Sequence, residues 1–174
     1  MMLMKVVRGL VAIIGLLLLI FAVMALIGPK INFNNEITIN APKEKVWQIM
    51  NDLDKGGEWL PGLKKVEIVK EVPGKVGNIL NMTYEVDGQK TIIKETFTEF
   101  KENESLAFDM EADIFLTSYR MDLSEENGQT TIRSTSNVKG RGFFFRGMVP
   151  MMKSIFKQQD MDTMGKLKEV VERE

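Results

Sequence analysis

Residues 9–28, GLVAIIGLLLLIFAVMALIG, carry no charged or strongly polar side chain. At about 1.5 Å per residue, a helix of that length spans about 30 Å, the thickness of a bilayer's hydrocarbon core. Past Gly28-Pro29 the pattern changes. Phe33, Ile37 and Ile39 fall at alternate positions in FNNEITINAP, which predicts a strand. Pro42 suits the first turn of a helix. Val46, Ile49, Met50 and Leu53 of KEKVWQIMNDL then recur as one helical face. DKGGEWLPG breaks that helix and predicts a short second one around Trp59.

Beyond Pro61-Gly62 only strand signals appear until about residue 138. KKVEIVKEV and ESLAFDM are two of them. NILNMTYEV and QKTIIKETF flank Asp87-Gly88, and IFLTSYRMDLSEE and QTTIRSTSNV flank Asn127-Gly128. Asp-Gly and Asn-Gly favour two-residue hairpin turns, and such a turn fixes which residues pair. Around Asn127-Gly128 it pairs Leu123 with Ile132, Met121 with Ser134 and Tyr119 with Ser136. Around Asp87-Gly88 it pairs Tyr84 with Thr91, Met82 with Ile93 and Leu80 with Glu95. Both hairpins thereby gain one mostly apolar face, which also carries Tyr84, Glu95, Tyr119, Ser134 and Ser136.

From Met148 to the end the pattern is helical. Met152, Ile155, Phe156 and Gln159 form one face, continued with slight drift by Met161, Met164, Leu167 and Val171. The order is a strand, one or two helices, about six antiparallel strands and a long C-terminal helix. A curved antiparallel sheet buries its apolar face most simply by gripping that helix. The expected fold class is α+β, a helix-grip fold of about seven strands preceded by one transmembrane helix. The expected division is a short basic N-terminus (1–8), a transmembrane helix (9–28), a linker (29–33) and one domain (34–174).

Composition narrows the chemistry. The chain has 174 residues, 44% hydrophobic and 27% charged, and contains neither Cys nor His. Disulfides, thiolate nucleophiles, imidazole metal ligands and Ser-His or Cys-His catalysis are therefore excluded. No metal or cofactor is expected, and acid–base chemistry would fall to Asp, Glu, Tyr or Lys. A net charge of −1 argues against nucleic acid as a partner. The apolar N-terminal run is longer than the roughly 7–15 residues of a signal-peptide core, which favours a retained anchor. Lys5 and Arg8 flank its start, so the sequence predicts a single-pass protein with the domain outside the cytoplasm.

The segments ITINAPKEKVWQIMNDLDKGGEWLPGLKKVEIV (37–69), VGNILNMTYEVDG (76–88) and MGKLKEVVE (164–172) resemble the START-like, or SRPBCC, superfamily. That group includes polyketide cyclases, Bet v 1-type plant proteins and coenzyme-Q-binding proteins. The Ala-Pro before the first helix, Val46-Trp47, Trp59, Pro61 and the Val-Gly before a strand match its usual pattern. The resemblance covers roughly residues 34–172. It implies a helix-grip fold around a cavity for lipids, sterols, quinones or polyketides, and it carries over no catalytic residue. The histidine that some aromatase members use is missing here.

The candidate cavity residues are Tyr84, Glu95, Tyr119, Ser134, Ser136, Met152, Ile155 and Phe156. Glu95 faces inward by register, where a carboxylate shifts toward neutrality or needs a partner. The tyrosines offer an apolar body with a polar tip. Ser134 and Ser136 have no histidine to activate them and read as polar lining. The methionines suit an adaptable apolar wall or a plain core. Trp47 and Trp59 read as structural.

RGFFFRG (141–147) lies between the last strand and the long helix. Lys139, Arg141, Arg146, Lys153 and Lys157 make residues 139–159 locally +5, with no acid before Asp160. Phenyl rings beside basic side chains suit the bilayer interface. Phe143, Phe144, Phe145, Arg141 and Arg146 are thus expected to contact a membrane as a gate at the cavity mouth. The leading functional expectation is a membrane-anchored module that binds or transfers a lipid, isoprenoid or quinone. A cyclase- or hydrolase-like enzyme using Glu95 and a tyrosine remains open, as does a protein-interaction module in membrane maintenance or stress response.

Overall fold

The structure, a computed structural model, describes residues 2–174. Helix α1 (Met2–Ile27) contains a stretch, Met4–Ile27, long and apolar enough to cross a membrane. Strand β1 (Ile31–Ile39) begins only three residues after α1 ends. Next come α2 (Lys43–Met50) and a single turn, α3 (Gly56–Trp59). Pro42 sits at the N-cap of α2, and Asn51 closes its other end by donating from Nδ2 to the Trp47 carbonyl. The buried side of α2 is Val46, Trp47, Ile49 and Met50. Leu53 of the sequence-predicted face is instead exposed, because the helix stops at Met50 and the chain turns away.

Six strands follow: β2 (Leu63–Lys70), β3 (Ile79–Val86), β4 (Gln89–Lys101), β5 (Ser105–Glu111), β6 (Phe115–Glu126) and β7 (Gln129–Gly140). With β1 they form one antiparallel sheet in the order β1-β7-β6-β5-β4-β3-β2. Both predicted hairpin registers are observed, from Tyr84 opposite Thr91 to Leu80 opposite Glu95, and from Leu123 opposite Ile132 to Tyr119 opposite Ser136. Asp87, Gly88, Asn127 and Gly128 all have positive φ, as a two-residue turn of this hand requires. Register irregularities in β2 and β4 interrupt the ladder, and such bulges bend a strand and increase its twist.

After β7 the chain forms α4 (Gly142–Met148), a 3₁₀ turn (Val149–Met152) and the long α5 (Lys153–Arg173). The segment expected to join strand and helix is thus itself a helix. The sheet grips α5 through Met164, Leu167, Val170 and Val171, which pack with Ile39, Trp47, Leu123 and Ile132 in the main core. Removing a side chain of this size from water contributes roughly 1.5–3 kcal/mol each. A second cluster, Ile31, Phe33, Val138 and Val149, lies at the start of β1 next to α1, with Phe115 and Phe156 against it.

The first turn of α5 is phased differently from the sequence expectation. The inward positions run Phe156, Asp160, Met164, Leu167 and Val171. Ile155, one residue and about 100° away from Phe156, is 50% exposed.

Candidate functional site

The antiparallel registers align inward-facing side chains into cross-strand rows. One row runs Ile31, Val138, Thr117, Met110, Glu95, Leu80. The next runs Phe33, Ser136, Tyr119, Phe108, Phe97, and a third runs Asn35, Ser134, Met121, Leu106. The polar residues of these rows come from four different strands and face one helix, α5.

Between sheet and helix lies a mainly apolar cavity of about 270 Å³. Tyr84, Glu95, Tyr119, Ser136 and Phe156 line it, together with Trp59, Met110, Asp160 and Met164. A second hollow of about 150 Å³ runs toward α2 and β2, and Trp59, Leu60, Glu95, Phe108 and Met121 border both spaces. Glu95 therefore sits at their junction. It is only 8% exposed. Burial pushes its carboxyl up to about 7, and no hydrogen bond or ion pair among the described residues offsets that burial. Trp59 is equally buried, and its Nε1 has no hydrogen-bond partner. Tyr84 is driven upward by burial and by the charge of Glu95, and its hydroxyl reaches only the Met82 sulfur at 3.9 Å.

The opposite wall is polar in a different way. Asp160 of α5 accepts hydrogen bonds from three strands: from Tyr119 of β6, from Ser134 of β7 at 2.6 Å and from Asn35 of β1 at 2.8 Å. Asn35 Nδ2 also donates to the Lys157 carbonyl. Burial and the adjacent Asp160 charge raise Tyr119 well above the ordinary phenol range, so it acts as a donor. Ser134 is fully buried beneath this clasp and its hydroxyl is committed to Asp160. The serine thus supports the wall rather than lining the cavity.

Met152 is half-buried and Ile155 is exposed, and neither lines the cavity. Helical periodicity puts both on the inner face only when that face is extended one turn too far toward the N-terminus. Asp160 is not legible as a site residue in the sequence, since a single carboxylate on a charged helix reads as solvated. Trp59 reads there as plain structure, because a tryptophan in a turn has no face that periodicity can assign.

Arg141, Phe143, Phe144, Phe145 and Arg146 do not line the cavity either. Helix α4 lies against α1, with the Phe21 ring 6.3 Å from that of Phe143 and 5.7 Å from that of Phe144. Gly147 is the notch that admits Phe21, since a Cβ there would stand 2.6 Å from Phe21 Cε2. Ala25 is buried, and the Arg146 side chain covers Gly28. Phe143 and Phe144 remain 54% and 57% exposed. Arg141 Nη1 donates to the Ala112 carbonyl.

This architecture recurs in solved structures. The Zhui aromatase/cyclase from Streptomyces sp. R1128 matches with a TM-score of 0.71 at 16% identity, over 83% of this chain and 95% of its own. A START superfamily protein from Mycobacterium smegmatis matches at 0.68 and 17%, over 82% and 97% of the two chains. The protein Ara h 8.0201 matches at 0.68 and 15%, over 84% and 100%. At such identities the likeness is one of fold. Among curated proteins, none is significantly similar in sequence. The family model described as polyketide cyclase / dehydrase and lipid transport matches residues 30–172, so this chain, with its sheet gripping a long helix across an apolar cavity, belongs to that START-like family.

Proposed function

We propose that the protein is a membrane-anchored module that binds or transfers a hydrophobic ligand of the lipid, isoprenoid or quinone class. The observation that carries this reading is the apolar cavity with an unpartnered carboxyl, Glu95, at its junction. Buried polar groups are normally paired, and a ligand's polar end would supply the missing partner. At about 270 Å³ the cavity lies just below the roughly 300–1,000 Å³ typical of ligand pockets. It suits a short chain or a single ring system, or one end of a longer molecule.

The fit of α1 to α4 supports a retained anchor, because a leader destined for removal has no need of a notch at Gly147. The same fit supports membrane contact by α4. Phe143 and Phe144 are exposed beside the last two turns of the apolar helix, the level at which a spanning helix leaves the hydrocarbon. Each ring entering the interface contributes roughly 1.5–3 kcal/mol. Arg141 and Arg146 each add about 1 kcal/mol over anionic lipid.

Mass spectrometry of small molecules released from the full chain, gently extracted from its native membrane, tests the proposal. One enriched hydrophobic compound at near-stoichiometric amount supports it. An empty cavity in an intact, folded preparation counts against it.

The enzyme alternative keeps one observation in its favour. A carboxyl pushed to about 7 is suited to general acid–base work near neutrality. Glu95→Gln separates the two, since an enzyme loses turnover while a carrier retains most of its binding.

A further inference from the structure

The charges around the cavity have one sign. Of the residues lining the 270 Å³ space, Glu95 and Asp160 are the carboxylic acids and none is a lysine or arginine. The adjoining hollow adds Asp52, Glu71 and Lys75, and Lys75 lies 3.6 Å from Glu71 at the exposed rim. No lysine or arginine thus reaches the interior walls.

The acceptor capacity of the interior is divided unequally. Both oxygens of Asp160 are taken up by Tyr119, Ser134 and Asn35. Glu95, on the facing side, is unpartnered. A hydroxyl can donate to the Glu95 carboxyl. A protonated amine can pair with Glu95. A carboxylate or phosphate would meet buried Glu95 and half-buried Asp160 with no cation to neutralise it, and like charges brought together away from water cost several kcal/mol.

We infer that Glu95, at the junction of the two spaces, selects ligands by charge: the cavity accepts an amphiphile ending in a hydroxyl or an amine and rejects one ending in a carboxylate or phosphate. This rests on the hydrophobic-ligand reading and narrows it. Neutral alcohols and amines are the expected cargo, and free fatty acids and phospholipid headgroups are not.

Three probes of equal chain length test it: 1-decanol, decylamine and decanoate. Each is titrated at pH 8 into the full chain in phosphatidylcholine nanodiscs. Tryptophan emission is followed, and partition into protein-free nanodiscs is measured and subtracted. Decanol and decylamine are expected to bind at least about tenfold more tightly than decanoate, tenfold being 1.4 kcal/mol. In Glu95→Gln, decanoate should gain about tenfold, decylamine should weaken by a similar factor, and decanol should stay within about threefold. Decanoate binding the wild type as tightly as decanol overturns the inference and leaves the binding module standing. So does a ranking that Glu95→Gln leaves unchanged. Failure of all three probes to bind overturns the binding module and the charge selection together. The wild-type ranking decides the matter even if the variant does not fold.

Discussion

Glu95 is the residue at which burial and chemistry conflict most openly. Its carboxyl is pushed to about 7 in the folded protein, from an ordinary value of 4.5. The native state therefore holds its proton more tightly than the unfolded chain does. The stabilisation is complete below about 4.5, declines as pH rises toward 7, and is gone above that. Glu95→Gln removes this dependence. At pH 8 the variant is expected to be more stable than the wild type by about 3 kcal/mol, with no difference at pH 4. Thermal unfolding of the solubilised protein across that range measures it, and parallel pH profiles for the two proteins would contradict the assignment.

Asp160 makes the opposite prediction. Asp160→Ala strips the shared acceptor from Tyr119, Ser134 and Asn35 and leaves three donors stranded beneath α5. The expected loss is about 3 kcal/mol, a fall of roughly 6–12 °C in melting temperature for a chain of this size. Asp160→Asn keeps one carbonyl oxygen and should lose less. A melting temperature within about 2 °C of wild type for the alanine variant, or less than about 1 kcal/mol, would show that the clasp carries little.

Among the elements, legibility in the sequence follows how local the determinant is. The hairpins are readable in register because Asp87-Gly88 and Asn127-Gly128 fix both strands from two residues. That register by itself assigns Tyr84, Glu95, Tyr119, Ser134 and Ser136 to the concave face. Helix α4 is not readable. GFFFRGM has glycines near both ends and no periodicity, and it is shaped by contact with α1, more than 100 residues earlier. The phase of α5 is readable where Leu167 and Val171 bury against the core. It is lost at the first turn, where Ile155 is apolar without being buried, as is Met151 in the 3₁₀ turn before it.

The contact between α1 and α4 yields its own test. Gly147→Val places a side chain where the Phe21 ring now sits. It should part the two helices and speed amide exchange across residues 142–148, while α5 stays protected. Adding Phe21→Ala should restore part of that protection by reopening the space, a coupling expected of residues in direct contact. Independent effects of the two substitutions would mean that the helices do not fit together in this way.

For the molecule as a whole, the anchored reading predicts that the intact mass of the membrane-derived protein is that of the uncleaved chain. It also predicts that the protein resists extraction by alkaline carbonate. With Lys5 and Arg8 expected on the cytoplasmic side, the same reading predicts that the domain lies outside. Protease added to cells whose outer face is accessible should then digest the domain and leave the anchor. Protection until lysis would reverse the orientation without disturbing the cavity.

The neck between helix and domain is three residues long, Gly28 to Lys30. At about 3.5 Å per residue its reach is near 10 Å, and the seating of Arg146 over Gly28 shortens that further. On the anchored reading, a domain tied so closely to one bilayer would not carry cargo across the cytoplasm or periplasm to a distant one. On that reading it would be a fixed berth, loading and unloading what is brought to its own surface. Any flux through it should then scale with its density in the plane and with the supply of a separate, mobile courier.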